Sequence, residues 1–197
     1  MVEGSAAPVA VVLAAGASQR LGRPKALVPV AGHSNLALQV QRLHRIGLQV
    51  VVVGREDVNL GTEGLPCVLV QNPEPEAGRT GSLQVGLAAF VDVPLEVLVC
   101  PVDRPGWNEA VVHALLARPG NAVVPATGGR GGHPLLLRGD VVRRILRADR
   151  STPLRDLTGA RVQVEVDAPF LHLNLDRPED LAHLVHLEAW LRDGEGP

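Results

Sequence analysis

Five side chains are of types and spacings that could do chemistry: Arg20, Arg23 and Lys25 in one loop, then Asp103 and Asp176 far downstream. The loop reads Leu13-Ala14-Ala15-Gly16-Ala17-Ser18-Gln19-Arg20-Leu21-Gly22-Arg23-Pro24-Lys25, with three positive charges within six positions. Small residues at 14–18 let backbone N–H groups approach a ligand closely, which is the physics of an anion-binding loop. The spacing is not that of a Walker A loop, because Gly22 is followed by Arg23-Pro24-Lys25. Nor is it G-x-G-x-x-G, because Gly16 is followed by Ala17-Ser18. A solvated basic loop between strand and helix is the plain alternative. Lys25 is chemically isolated: the other 18 of the 19 basic residues are Arg. Its compact ammonium suits phosphate oxygens as a point charge, whereas Arg favours planar bidentate contacts.

The carboxylates sit in readable contexts. Asp103 follows an apolar run in Cys100-Pro101-Val102-Asp103-Arg104-Pro105. A carboxylate past a buried strand, ahead of a proline-fixed turn, can hold Mg²⁺, which commonly takes one or two carboxylates plus phosphate oxygens. A turn-forming Asp is the plain alternative. Asn174-Leu175-Asp176-Arg177-Pro178-Glu179-Asp180-Leu181 is a good helix start, with Pro178 first in the helix, acids in the first turn, and Asp176 or Arg177 as its cap. Gly78-Arg79-Thr80-Gly81-Ser82-Leu83 opens another helix, whose first N–H groups favour anions and which Thr80 or Ser82 could cap. Gly128-Gly129-Arg130-Gly131-Gly132-His133-Pro134 is either a functional loop or a flexible hairpin tip. From Arg130 to Arg161 eight Arg face three Asp, a local balance of about +5 in a chain of net charge -2. That patch would suit a phosphorylated acceptor, although Arg143, Arg144 and Arg147 read more simply as a solvated helix face. His183 and His186 read as surface residues.

The elements that must position these groups follow from hydrophobic periodicity. The continuous apolar, β-branched run 9–13 predicts a strand covered on both faces, and further strands are predicted over 50–53, 67–70, 97–100, 122–124 and 162–166. Helices are predicted over 35–46 with Ser34 as cap, 80–90, 108–117, 140–148 and 178–191; residues 134–137 form a further short apolar run. Strands alternating with helices give a single three-layer α/β domain over 1–197 with a mostly parallel, Rossmann-like sheet, 1–7 and 193–197 being flexible tails. Ligands of such sheets bind outside the carboxyl ends of the strands, which is where the loops after Leu13 and Cys100 fall.

Composition removes several classes. Of 197 residues 46% are hydrophobic, which supplies a core, and the net charge of -2 argues against nucleic-acid binding. Aromatics are 2% with no Tyr, which disfavours base-stacking platforms. Cys67 and Cys100 read as buried, reduced thiols. The apolar stretch 8–17 is too short to span a bilayer and lacks a basic segment before it, so a cytoplasmic protein is expected, without a membrane partner.

The loop 13–25 resembles the signature L-A-A-G-x-S-x-R-x-G-x-x-K of single-domain α/β nucleotidyltransferases, and more closely that of molybdenum cofactor cytidylyltransferases and guanylyltransferases. Leu21 replaces a usual Met, a volume-conserving change. The resemblance implies that Leu13, Ala14, Ala15, Gly16 and Ser18 wrap the nucleotide, that Arg20 and Lys25 act on its phosphates, and that Gly81 and Ser82 contact it. Asp103 matches the family's metal-binding D-x-P, and Asp176, with Asn174 as the alternative, matches its late N/D-x-D/N-x-P-E-D-L as second Mg²⁺ ligand. Arg130 and His133 match the R-G-H-P segment over the acceptor. Where the family often has G-D-x-G-A-R, this chain has Ala148-Asp149-Arg150-Ser151-Thr152-Pro153. The function so implied is Mg²⁺-dependent transfer of NMP from an NTP to a phosphorylated pterin-type acceptor, releasing pyrophosphate. Ala15 at the middle of the loop resembles the CTP form more than the GTP form. A molybdoenzyme or chaperone partner and a monomer or weak oligomer go with this reading. Sugar-phosphate, isoprenoid-precursor or deazaflavin-precursor acceptors on the same fold, or a non-catalytic cofactor-insertion module, are the alternatives.

Overall fold

The computed structural model describes residues 8–55 and 59–194. In chain order the strands are β1 (Val9–Leu13), β2 (Pro29–Val30), β3 (His33–Ser34), β4 (Gln49–Gly54), β5 (Val68–Gln71), β6 (Glu96–Pro101), β7 (Ala122–Thr127), β8 (Arg130–Gly131), β9 (Leu135–Arg138) and β10 (Val162–Glu165). The α-helices are α1 (Asn35–Arg45), α2 (Arg79–Leu87), α3 (Glu109–Ala117), α4 (Asp140–Arg147), α5 (Leu154–Thr158) and α6 (Leu184–Gly194).

The main sheet runs β10-β7-β9-β6-β1-β4-β5, with β8 paired to β7. It is parallel apart from β9, antiparallel to both β6 and β7, and the β7–β8 hairpin. β1 is central: its residues 10 and 12 face α1 and α3, and its residues 9 and 11 face α2 and α4. A strand covered on both faces has no reason to alternate polar with apolar, which is why 9–13 reads as one hydrophobic run. The expected mostly parallel sheet with helices on both sides is observed. The chain passes from β1 to β4 and β5 on one side, then crosses to β6 on the other. That reversal opens a crevice at the carboxyl ends of β1 and β6. A third apolar cluster packs α6 against Leu21, Val28 and Leu38, closing the underside of the loop after β1.

Several expectations are refined. Ser34 caps α1, its hydroxyl accepting from Ala37 N at 3.1 Å. The apolar run at 134–137 is β9, inserted between β6 and β7. The small β2–β3 hairpin and α5 had no hydrophobic period long enough to reveal them. The closing helix begins as a 3₁₀ segment (Pro178–His183) and continues as α6 to Gly194, so residues 193 and 194 are helical rather than part of a loose tail. The expected tails 1–7 and 195–197 lie outside the described residues. Both cysteines are free; Cys100 is buried in β6, whereas Cys67 is half-buried. Burial pushes both thiols up, Cys100 the further. Among the described residues no helix is long and apolar enough to cross a membrane.

One close approach matters downstream. A Cβ on Gly106 would stand 1.8 Å from Phe170 O, so glycine is what lets the 168–176 segment pass against the loop after β6. Gly106→Ala is expected to cost about 1–3 kcal/mol or more, as forced overpacking does, read as a lower midpoint in urea unfolding. The same push displaces the segment that carries Asp176.

Candidate active site

The cleft at the carboxyl ends of β1 and β6 has a volume of about 390 Å³. The loop after β1 forms one wall. Ala14 N donates to Val53 O at 2.8 Å and Val102 N to Leu13 O at 3.0 Å, so the loop leaves the sheet from a fixed point. Ser18 adopts a left-handed φ of 52°, and its hydroxyl accepts from Lys25 N at 3.2 Å, folding the loop back on itself. Leu13, Ala14, Ala15, Gly16, Ser18, Arg20 and Lys25 all line the cleft, together with Ser82, Asp103 and Asp176.

At its centre Lys25 Nζ donates to Asp176 Oδ1 at 2.9 Å and lies 3.6 Å from Asp103 Oδ2. Arg20 Nη1 meets Asp176 Oδ2 at 2.8 Å. The hydrogen bond from Lys25 holds the Asp176 carboxyl below the usual carboxylate range. Partial burial opposes this, and the charges of Lys25, Arg20 and Arg177 reinforce it. Asp103 Oδ1 is buried and has no hydrogen-bond partner, an orphaned lone pair in a site of hard oxygen donors. Two carboxylates of this kind fit a divalent cation that completes its shell with phosphate and water oxygens. Among the described residues no group of three or more His, Cys, Asp or Glu could cage a metal.

The two carboxylates and Lys25 come from three distant stretches of chain, and buried amides join them. Asn35, fully buried at the start of α1, donates through Nδ2 to Lys25 O at 3.1 Å and to Val102 O at 2.7 Å. Gln39 Nε2 supports it, donating to Asn35 Oδ1 at 3.0 Å and Val102 O at 3.1 Å. Leu175 N donates to Asp103 O at 2.9 Å. Asp180 Oδ2 accepts from Asp176 N and Arg177 N at 2.8 and 2.7 Å, so this acid starts the helix and fixes the Asp176 backbone at once. The sequence marked Asn35 only as a helix start; nothing in its local context revealed its partners.

A family model, that of the MobA-like NTP transferase domain, matches residues 10–166. The chain belongs to this family. It is 32% identical over 187 residues to a molybdenum cofactor guanylyltransferase of Xanthomonas euvesicatoria, covering 89% of this chain and 93% of the relative. It is 39% identical over 175 residues to a CMP-5'-(3-aminopropyl)phosphonate synthase of Streptomyces rubellomurinus, covering 80% of this chain but 26% of that longer protein. Among solved structures, a nucleotidyl transferase from Methanothermobacter superposes with a TM-score of 0.75 at 22% identity, covering 93% of this chain and 98% of the other. The MobA-like match includes the loop after β1, Asp103 and His133 but stops before Asp176.

Several positions expected in this MobA-like site lie elsewhere. Arg23 does not line the cleft. Asn174 opens onto a separate depression with Asp176 and His183, its Oδ1 buried and partnerless. Gly81 is turned away, its N–H donating to Arg150 O at 3.1 Å. Ser82 reaches the cleft wall, but its hydroxyl donates to Gly78 O and accepts from Asn72 Nδ2, both at 3.0 Å. Neither Thr80 nor Ser82 caps α2: the N-cap is Gly78, at a φ of 96° that glycine alone adopts freely. Arg130 is exposed on the β7–β8 hairpin, whose turn is closed by Glu165 accepting from Gly129 N at 2.9 Å. His133 is tucked into a neighbouring cavity. Nor do the eight arginines between 130 and 161 form one surface. Arg138 is tied to Glu96 and to the carbonyls of 116, 118 and 120, Arg143 to Asp140 and Arg150 to Glu74. Arg79 lines the cleft too, a position that sequence reasoning did not single out.

Burial lowers the His133 pKa from 6.5 to about 3, with the charges of Arg79, Arg104 and Arg161 acting in the same direction. The unfolded chain therefore binds a proton between those two values that the folded chain refuses. Stability should fall as pH is lowered below 6.5, and His133→Gln should flatten that slope in thermal melts. Asn35→Leu removes the amide that joins Lys25 O to Val102 O and leaves Gln39 alone on Val102 O, a loss of about 1–3 kcal/mol, measurable by urea unfolding.

Proposed function

We propose that this MobA-like nucleotidyltransferase moves a nucleoside monophosphate from an NTP, CTP in preference to GTP, to a phosphorylated acceptor of the pterin type. The observation that carries the reading is the convergence of Arg20, Lys25, Asp103 and Asp176 on one cleft at the sheet's switch point. An acceptor phosphate oxygen forms a bond to the α-phosphorus, the bond from that phosphorus to the β-phosphate's bridging oxygen breaks, and pyrophosphate leaves with the electron pair.

Lys25 and Arg20 bind the β- and γ-phosphates and stabilise the charge that grows on the departing pyrophosphate. The loop backbone from Ala14 to Gly16 lies at close range to base and phosphates, with the Ala14 N–H itself anchored to Val53 O. Asp103 and Asp176 would hold Mg²⁺, which when bound neutralises charge on the nucleotide. The remaining contribution is positioning: Ser18, Asn35 and Asp180 hold the charged groups before the substrates arrive. The acceptor is already ionised as a phosphate, so His133 need not act as a base. It and Arg130 serve the acceptor side.

Ala15, a buried residue of the loop itself, supports the smaller pyrimidine; the near-full-length guanylyltransferase relative supports GTP as the second reading. A panel of CTP, GTP, UTP and ATP with Mg²⁺ and a molybdopterin-type acceptor, scored by pyrophosphate release, decides between them. CTP is expected to give the highest rate. Lys25→Ala should lower turnover about 10²–10³-fold, the usual effect of removing one preorganised electrostatic contact. Full turnover in that variant, or no release with any pair, rejects the assignment.

A further inference from the structure

Arg104 follows Asp103 directly, yet its side chain does not line the cleft. It is half-buried; Nη1 donates to His172 O at 3.2 Å, and Nε is buried without a partner. Among the described residues it meets no carboxylate in an ion pair, so it acts on Asp103 and Asp176 through space rather than by contact. Burial pulls the guanidinium below the usual arginine range; Asp103 and Asp176 oppose that pull, and Arg79 and Arg130 add to it. A guanidinium does not deprotonate in a protein, so a permanent cation is fixed behind the two carboxylates.

A charge in that place shifts the balance of the cleft. The charged residues of the lining are Arg20, Lys25 and Arg79 against Asp103 and Asp176, and Arg104 widens this excess of cations. Neighbouring charges do not offset it: Arg177 is paired with Glu179, and Asp180 is turned to the backbone N–H groups of 176 and 177. A free divalent cation must enter against this field, although Asp103 Oδ1 has no partner to give up. A nucleotide reverses the balance. Its triphosphate draws Lys25 and Arg20 away from Asp176, which they hold at rest, and adds negative charges of its own. Arg104 cannot follow, because it lies outside the lining and is tied to the 168–176 segment through His172 O. It acts on the carboxylate pair before and after the nucleotide arrives.

We propose that Arg104 is a positioning residue whose charge keeps Asp103 and Asp176 from taking up a free divalent cation, so that the cation enters with the nucleotide. The proposal rests on the nucleotidyl-transfer reading, in which those two carboxylates hold the metal. A bare cation is thereby kept from pinning the carboxylates before the phosphates are in place.

The test uses the full chain, with Mn²⁺ as the metal probe and an α,β-methylene analogue of CTP or GTP, whichever binds. Mn²⁺ is titrated by electron paramagnetic resonance with and without the analogue, and the analogue by calorimetry with and without Mn²⁺. Arg104→Met should bind free Mn²⁺ about tenfold tighter than the wild type and the metal-free analogue more weakly, as removal of one partly screened cation does. Arg104→Gln, a second neutral variant, should do the same. Arg104→Lys keeps the charge and should stay within about twofold of the wild type in both. The analogue should tighten Mn²⁺ binding more in the wild type than in Arg104→Met. Arg118→Gln, at the far end of α3, should change neither ligand, and thermal melts check that each variant is folded. Loss of a residue that merely shapes the site would weaken both ligands, so opposite signs separate charge from structure. Free Mn²⁺ bound no tighter by the neutral variants than by the wild type, or Arg104→Lys behaving as they do, overturns the role of Arg104 and leaves nucleotidyl transfer standing. Failure of both analogues to bind the wild type, with or without Mn²⁺, overturns nucleotidyl transfer and this proposal with it.

Discussion

The buried side chain of Asn35 is the interaction on which the site depends. One amide donates to the backbone of Lys25 and to that of Val102, the neighbour of Asp103, and so joins the loop after β1 to the end of β6. Both acceptors are carbonyls in a water-poor interior, where an unmet partner is costly and a met one is directional. Gln39, one helical turn later, locks the amide's orientation. The positions of a cation and a carboxylate are therefore set by a residue that touches neither functional group.

The fold turns this local bond into a cleft. Because the chain builds outward from β1 on one side before crossing to the other, the loops after β1 and β6 diverge from neighbouring strands and leave a crevice between them. The late segment 168–176 then packs against Gly106 and bonds to Asp103, delivering Asp176 to the same point. Strand order thus provides the space, and three backbone attachments provide the precision.

Much of this was legible in the residues. The run 9–13 announced two-faced burial, and the cation spacing in the loop together with the acids at 103 and 176 marked groups that do meet. What stayed hidden depends on contacts between residues far apart in sequence. Asn35 looks like any helix-start Asn until its partner Val102, 67 residues away, is known. Ser82 looked free to face a ligand, yet both its hydrogen-bonding roles are taken within the protein. The eight arginines suggested one patch, but β8, β9, α4, α5 and the loops between them carry them to different faces. The α5 turn and the β2–β3 hairpin are too short for periodicity to register.

Asp176 gives the resting cleft a further property. It already occupies Lys25 and Arg20, so the protein carries its own competing anion, tethered at a high effective concentration. Phosphate-rich compounds of many kinds circulate in any cell, and bare negative charge would draw all of them to an open pair of cations. Here an incoming molecule must displace a carboxylate that never diffuses away. On the proposed reading, only one that also satisfies the loop's backbone and the cleft's shape would gain enough to do so, and the internal anion would act as a filter on what the cleft admits.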